Sequence, residues 1–312
     1  MHAHFLLLLS YLIVGAFAFS SPPAGAITVG PGGKYSTLSA ALKDTSSELY
    51  FVFAGTYTDT AIITRPNTRV YGQTTAPSSY TGNTVTITND IPASEAGSND
   101  ASGTVQVHAA NVSLYNLNIA NTYGKPVDQA QAIALSVQAG QFGGYGLKIT
   151  GDQDTLLANT GTQYYANSWI EGAVDFIFGR QASIWITRSI INTIGDGFIT
   201  ASGRESDDGN WYVIDSSTVQ GTGKAFLGRP WGDYARVVFQ KCTLGSNVPP
   251  AGWSVWNTDA PQTDHVTFAE YGNTGPGSLG TRASFSTKLA APIAISTVLG
   301  SASPSWIDPE FL

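Results

Sequence analysis

The sequence predicts an all-β protein wound as a parallel β-helix, a solenoid of stacked coils. Three observations carry this expectation. Charged residues are only 12% of the 312-residue chain, about half the usual share, while Gly, Ser, Thr and Asn are plentiful, a balance that favours strands and turns over solvated helices. A spacing of +2, +3, +2 between mostly apolar or small residues recurs from Val112 to Leu244. Its copies begin at residues 112, 142, 163, 184, 212 and 237, at intervals of 30, 21, 21, 28 and 25. A unit this short cannot bury its apolar side alone but can do so by stacking on copies of itself. A propeller would need a period near about 40 residues, and a sandwich needs no common period.

Taken from the N-terminus, residues 5–19, "FLLLLSYLIVGAFAF", form an apolar run shorter than the roughly 20 residues of a membrane-spanning helix. Small residues and "SSPPAG" follow it. This reads as a cleaved secretory signal over residues 1–20, although His2 and His4 stand where Lys or Arg is usual. The expectation is therefore a secreted, extracellular protein with no membrane anchorage, and residues 21–312 are expected to form one β-helix domain. Residues 92–100, "PASEAGSND", read as a polar surface loop.

The six copies are "VSLYNLNI", "FGGYGLKI", "QYYANSWI", "IWITRSII", "YVIDSSTV" and "VVFQKCTL". Each is two short strands divided by a bend. Cys242, the single cysteine, falls at a repeated inward position, so inert core is expected, and neither an intrachain disulfide nor a metal–thiolate site can form. Asn111 opens the first copy within the sole glycosylation sequon, where a structural turn residue is as good a reading as a glycan site. The formal net charge of −7 and the lack of any Lys/Arg cluster exclude nucleic acid as a partner.

Residues 151–179, "GDQDTLLANTGTQYYANSWIEGAVDFIFG", hold Asp154 and Asp175, 175 − 154 = 21 residues apart, which is one coil. Each lies five residues beyond the last member of its copy, Ile149 or Ile170. The two carboxylates should therefore emerge from one face on adjacent rungs, about 4.8 Å apart along the stack. So close a pair cannot both ionise freely, which separates an acid role from a base role. Gln153 adjoins the first acid, and Gln131 precedes it by 153 − 131 = 22 residues, again near one coil. A carboxylate nucleophile, a second carboxyl group and amide donors suit acyl transfer on an ester. The spacing alone leaves glycoside hydrolysis open, since that chemistry also uses two acids.

"GDQDTLL", "GAVDFIFG" and "LGRPW" (residues 227–231), with "QAIAL" upstream and "AEYGNTGPGS" near the C-terminus, resemble the ordered signatures of pectin methylesterases. "GTYTD" at residues 55–59 is a weaker echo, with Asp59 where Glu is usual. The resemblance covers nearly all the chain after the signal. It implies a right-handed parallel β-helix that demethylates galacturonate esters of pectin without metal or cofactor. It further implies Asp175 as nucleophile, Asp154 as acid then base, and Gln131 and Gln153 as holders of the oxyanion. Arg229 would fix Asp175 and keep it ionised, while Trp231 and Trp253 would line the sugar groove; Trp256 is left open between groove and core.

Asp152 departs from the Tyr common in the family and reads best as a turn residue. Asp196, a further 21 residues past Asp175, continues the column but also reads as a turn. A polygalacturonase-like hydrolase is the nearest alternative, and "NTD" at residues 257–259 echoes that group, although its other motifs are missing. A pectate lyase would need a cluster of acids spaced to cage calcium. A non-catalytic pectin-binding β-helix is the alternative from another class. The short chain resembles the secreted microbial or fungal form, and a monomer is expected.

Overall fold

The computed structural model describes residues 19–302 and 304–312, so residues 1–18 of the expected leader lie outside the described residues. Its strands pair in parallel into an 11-stranded and a 13-stranded sheet. This is a parallel β-helix, right-handed as strand–crossover–strand connections are.

The repeat is visible directly in the register. Leu114, Gly144, Tyr165, Ile186, Ile214 and Phe239 are consecutive partners in one sheet. Ile119, Ile149, Ile170, Ile191, Val219 and Leu244 are consecutive partners in the other. Both columns face inward; the apolar members are buried and form the core.

The +3 step has a backbone cause. Asn116, Gly146, Asn167, Arg188, Ser216 and Lys241 fall inside it, and all have φ between 47° and 57°, the left-handed region. One such residue turns the chain from the first sheet to the second. For a residue other than Gly this costs about 1 kcal/mol, offset by the ladders locked on either side. The polar exceptions in the repeat also have partners: Ser168 Oγ accepts the Leu147 N–H at 3.0 Å, Ser189 Oγ that of Ser168 at 3.1 Å, and Ser217 Oγ that of Ser189 at 3.1 Å. Cys242 ends this column fully buried, with its thiol pushed up to about 12 by burial.

A third strand per coil, which the repeat does not contain, carries the site. It comprises Ala61–Ile63, Val105–Val107, Leu135–Val137 and Leu156–Ala158, then the distal parts of Trp169–Gly179 and Ile190–Ser202, then Ala225–Pro230. On the opposite face, Tyr71, Tyr115 and Tyr145 form an aromatic column. The C-terminal tail lies on it, burying Val298, Leu299, Ile307 and Phe311.

Candidate active site

Two outward columns on the third strands frame the site. The first runs Gln131, Gln153, Val174, Phe198, Phe226 on successive coils. The second runs Ser136, Leu157, Phe178, Ala201, Arg229. Asp154 and Asp175 each follow a member of the first column, so they occupy adjacent rungs as the spacing requires. Both have left-handed φ, 65° and 52°, a conformation Asp tolerates better than most side chains. The Asp154 N–H donates to Val174 O at 3.0 Å and ties the two corners together.

Both carboxylates are nearly buried, with 7% of Asp154 and 6% of Asp175 exposed. Arg229 meets Asp175 with two parallel hydrogen bonds, Nε to Oδ1 at 2.9 Å and Nη2 to Oδ2 at 2.6 Å, the strongest ion-pair geometry available to a carboxylate. Asp154 receives only a long contact, from Asn99 Nδ2 at 3.5 Å. Burial pushes the Asp154 carboxyl well above the usual range, and the charge of Asp175 adds to it, against Arg229 and Lys125. Burial also raises Asp175, but the Arg229 hydrogen bonds and charge oppose it. Burial therefore disfavours charge most at Asp154, while Arg229 favours it at Asp175.

Gln153, 5% exposed, accepts from Lys125 Nζ at 2.7 Å and Ala130 N at 3.1 Å through Oε1. Both partners are obligate donors, so the amide orientation is settled and Nε2 is its free end. Gln131 lies on the preceding rung and donates one N–H to Gln129 Oε1 at 2.7 Å. Trp231 is half-buried, its ring 6.0 Å from Phe178 and 4.1 Å from the Arg180 guanidinium carbon. A Cβ on Gly203 would stand 2.4 Å from the Trp231 ring, so glycine there leaves room for the indole.

Six of the seven expected site residues therefore gather on one face. Trp253 does not. It is 1% exposed, stacks on Phe268 at 4.5 Å, and gives its indole N–H to Glu270 at 3.3 Å. Its bridge to Gly228 lays the ring across the inside of the final coil, where it plugs the core and cannot meet a sugar. The expectation of Trp253 in the groove is corrected. Glu270, within the C-terminal signature, also pairs with Arg282 at 2.7 Å and so anchors the end of the solenoid. Asp196 leaves the acid column: the residue beside Val174 is Phe198, and Asp196 is exposed and accepts the Lys224 N–H at 2.7 Å.

Two contributors, Asn99 and Phe198, escaped the sequence reading, and a third, Trp256, was left open by it. Asn99 arrives from the segment over residues 92–100, expected as a loop but opening with the short helix Ala93–Ala96, which docks through Ala93 N to Gln131 O at 2.8 Å. Phe198 and Trp256 sandwich the Arg229 guanidinium, its carbon 4.1 and 4.3 Å from the two ring centres. The chain interval from Trp256 to Arg229 carries no signal of this contact, whereas a search for aromatics one coil from the acids would have found Phe198.

A carboxylate held by a guanidinium, a second carboxyl group on the next rung and a free amide donor make an arrangement with the groups that acyl transfer needs. Comparison with known proteins agrees. The Pectinesterase family model matches residues 27–289. A pectinesterase of Aspergillus aculeatus is 44% identical, the match covering 96% of each chain. The crystal structure of the Aspergillus niger pectin methylesterase in deglycosylated form superposes with a TM-score of 0.87 at 40% identity, over 94% of this chain and 99% of that one. The carrot pectin methylesterase shares the fold, with a TM-score of 0.80 at 24% identity over 90% and 95% of the two chains. The family match, the fungal relatives and the common coil architecture lead to one conclusion: the chain belongs to the pectinesterase family, alongside its fungal members.

Proposed function

We propose that Asp175 is the nucleophile with which this pectinesterase removes methyl esters from the galacturonate units of pectin, and that Asp154 is first the acid and then the base. The observation that carries the assignment is the asymmetry of the pair, one carboxylate clamped by Arg229 and its neighbour left to hold the proton.

An Asp175 oxygen attacks the ester carbonyl carbon, and the carbonyl electrons move to oxygen. Gln153 Nε2, joined by the Gln131 amide, donates to that oxyanion, where preorganised donors are worth most. Collapse expels the methoxy group, which takes the Asp154 proton and leaves as methanol, and a mixed anhydride remains on Asp175. Asp154, now a carboxylate, accepts a proton from water as the water oxygen attacks the anhydride. The second collapse frees Asp175 and a galacturonic acid, whose remaining water proton passes to solvent as the carboxylate forms, while the other proton stays on Asp154 for the next cycle. Trp231 offers a flat face to the sugar chain. The apolar stretch at residues 5–19 supports action outside the cell, and we take the working form to be a monomer.

Methanol and reducing ends released from esterified pectin are measured together. Methanol without chain shortening is expected. New reducing ends would replace the esterase reading with a glycosidase, and neither product would leave a binding protein.

A further inference from the structure

Lys125 belongs to the exposed segment between the strand Asn118–Asn121 and Gln131, yet its ammonium reaches the buried site. Its Nζ donates to Gln153 Oε1 at 2.7 Å and to Asp128 O at 2.6 Å, so it is pinned from both sides. It is also the charge that opposes the burial of Asp152, whose Oδ1 is buried without a hydrogen-bond partner. This gives Asp152, the departure from the usual family residue, a physical setting: an acid one residue before Gln153 that draws the cation inward.

We propose that Lys125 is a positioning residue for the reaction, holding the Gln153 carboxamide by its oxygen so that the Nε2–H donors are fixed and polarised toward the oxyanion. A charged donor on an amide oxygen pulls electron density from the amide nitrogen, so the N–H bonds at the far end become better donors. The effect grows where water is excluded, as at Gln153. Lys125 has a second action through space: it favours the ionised forms of Asp154 and Asp175, in concert with Arg229, while the charge of Asp175 opposes ionisation of Asp154. The inference rests on Gln153 being an oxyanion donor.

The experiment compares Lys125→Met, Lys125→Arg and Gln153→Ala in the full secreted chain, with kcat, KM and the pH profile of kcat/KM as readouts. Loss of a charge-assisted hydrogen bond predicts a fall in kcat of about 10- to 100-fold for Lys125→Met, with KM changed less than about threefold. Its acid limb should move to higher pH, because removing a cation makes the carboxylates harder to ionise. Lys125→Arg, which keeps the charge, should restore the limb and most of kcat. A role confined to anchoring the loop would leave the limb in place. Unchanged kcat in Lys125→Met, or a loss confined to KM, would overturn the inference while Gln153→Ala still loses activity. Near-normal turnover in Gln153→Ala would instead remove the oxyanion reading beneath it. In the Gln153→Ala background, Lys125→Met should cost less than about threefold in kcat, since the two act as one unit; a full additional loss would also count against the inference.

Discussion

The two outer faces of the solenoid carry aromatic side chains to opposite ends. On one, Tyr71, Tyr115 and Tyr145 stand 4.7 to 4.8 Å apart in a column, and Phe311 of the C-terminal tail sits 4.7 Å from Tyr145. That face is closed by the chain itself: Tyr115 Oη donates to Asp308 at 3.1 Å, and Tyr164 Oη and Arg188 both donate to Phe311 O. On the other, Phe178, Phe198, Phe226 and Trp231 also lie in rungs, but Phe198, Phe226 and Trp231 stay half-buried, and among the described residues no tail covers them. Side chains of the same kind yield stability where the chain supplies the cover and a groove where it does not. What separates the faces is the pair of acids, which only the open one possesses.

The comparison can be broken most severely at the proposed nucleophile. Asp175→Asn should lower methanol release by about 10⁴-fold or more while the circular-dichroism spectrum is retained; residual turnover near the wild-type rate would remove Asp175 from the chemistry. Asp154→Asn comes next, with a loss of about 10² to 10⁴ in kcat and an acyl-enzyme visible by intact mass. This variant also tests stability. Asp154, raised by burial, binds its proton more tightly folded than unfolded. Stability is therefore full below the ordinary Asp range and is lost as pH rises through the raised value. Asn carries no such penalty, so the gain in Tm of Asp154→Asn over wild type should be larger at pH 7 than at pH 4.

On the closed face, Phe311→Ala should cost about 3 kcal/mol in unfolding free energy, as for other buried aromatic truncations, with kcat unaltered. A loss of activity without loss of stability would show that the faces are not separate. Trp231→Ala, its counterpart on the open face, should raise KM about 3- to 10-fold and leave the melting curve in place; unfolding instead would make Trp231 core. The smallest effect is electrostatic. A chain of net charge −7 meets a substrate that grows more anionic with each ester removed. Raising salt should therefore speed turnover of poorly methylated pectin by about twofold more than that of highly methylated pectin, as charges separated by more than about 8 to 10 Å are screened. Equal salt responses would rule this out.

Much of this was legible because the coil has one invariant corner. The +3 step at Asn116, Gly146, Asn167, Arg188, Ser216 and Lys241 is set by a single left-handed residue, so apolar positions on both sides keep constant spacing whatever side chain occupies the turn. The third strands were not legible, because the loops leading to them differ in length from coil to coil and erase the period. Asp154 and Asp175 were still found, since one 21-residue coil separates them. The next coil carries extra residues, and that is why Asp196 proved a false continuation. Trp253 and Trp256 show the remaining limit: three residues apart, one plugs the core and the other stacks on Arg229, a distinction made only by how the last coil closes.

In a solenoid each coil touches only its neighbours, so folding could stop or fray at any rung, as in a one-dimensional chain of weakly linked units. The tail breaks that independence. Asp308 accepts from Tyr115 across 193 positions of sequence and donates its N–H to Tyr145 across 163. A contact of that span closes a long loop unless the intervening coils are already stacked, so it is most favourable when they are in place, and once formed it ties early coils to the last residues of the chain. The tail thus turns a stack that could open piecemeal into a unit that opens as a whole, which keeps Asp154 and Asp175 one rung apart.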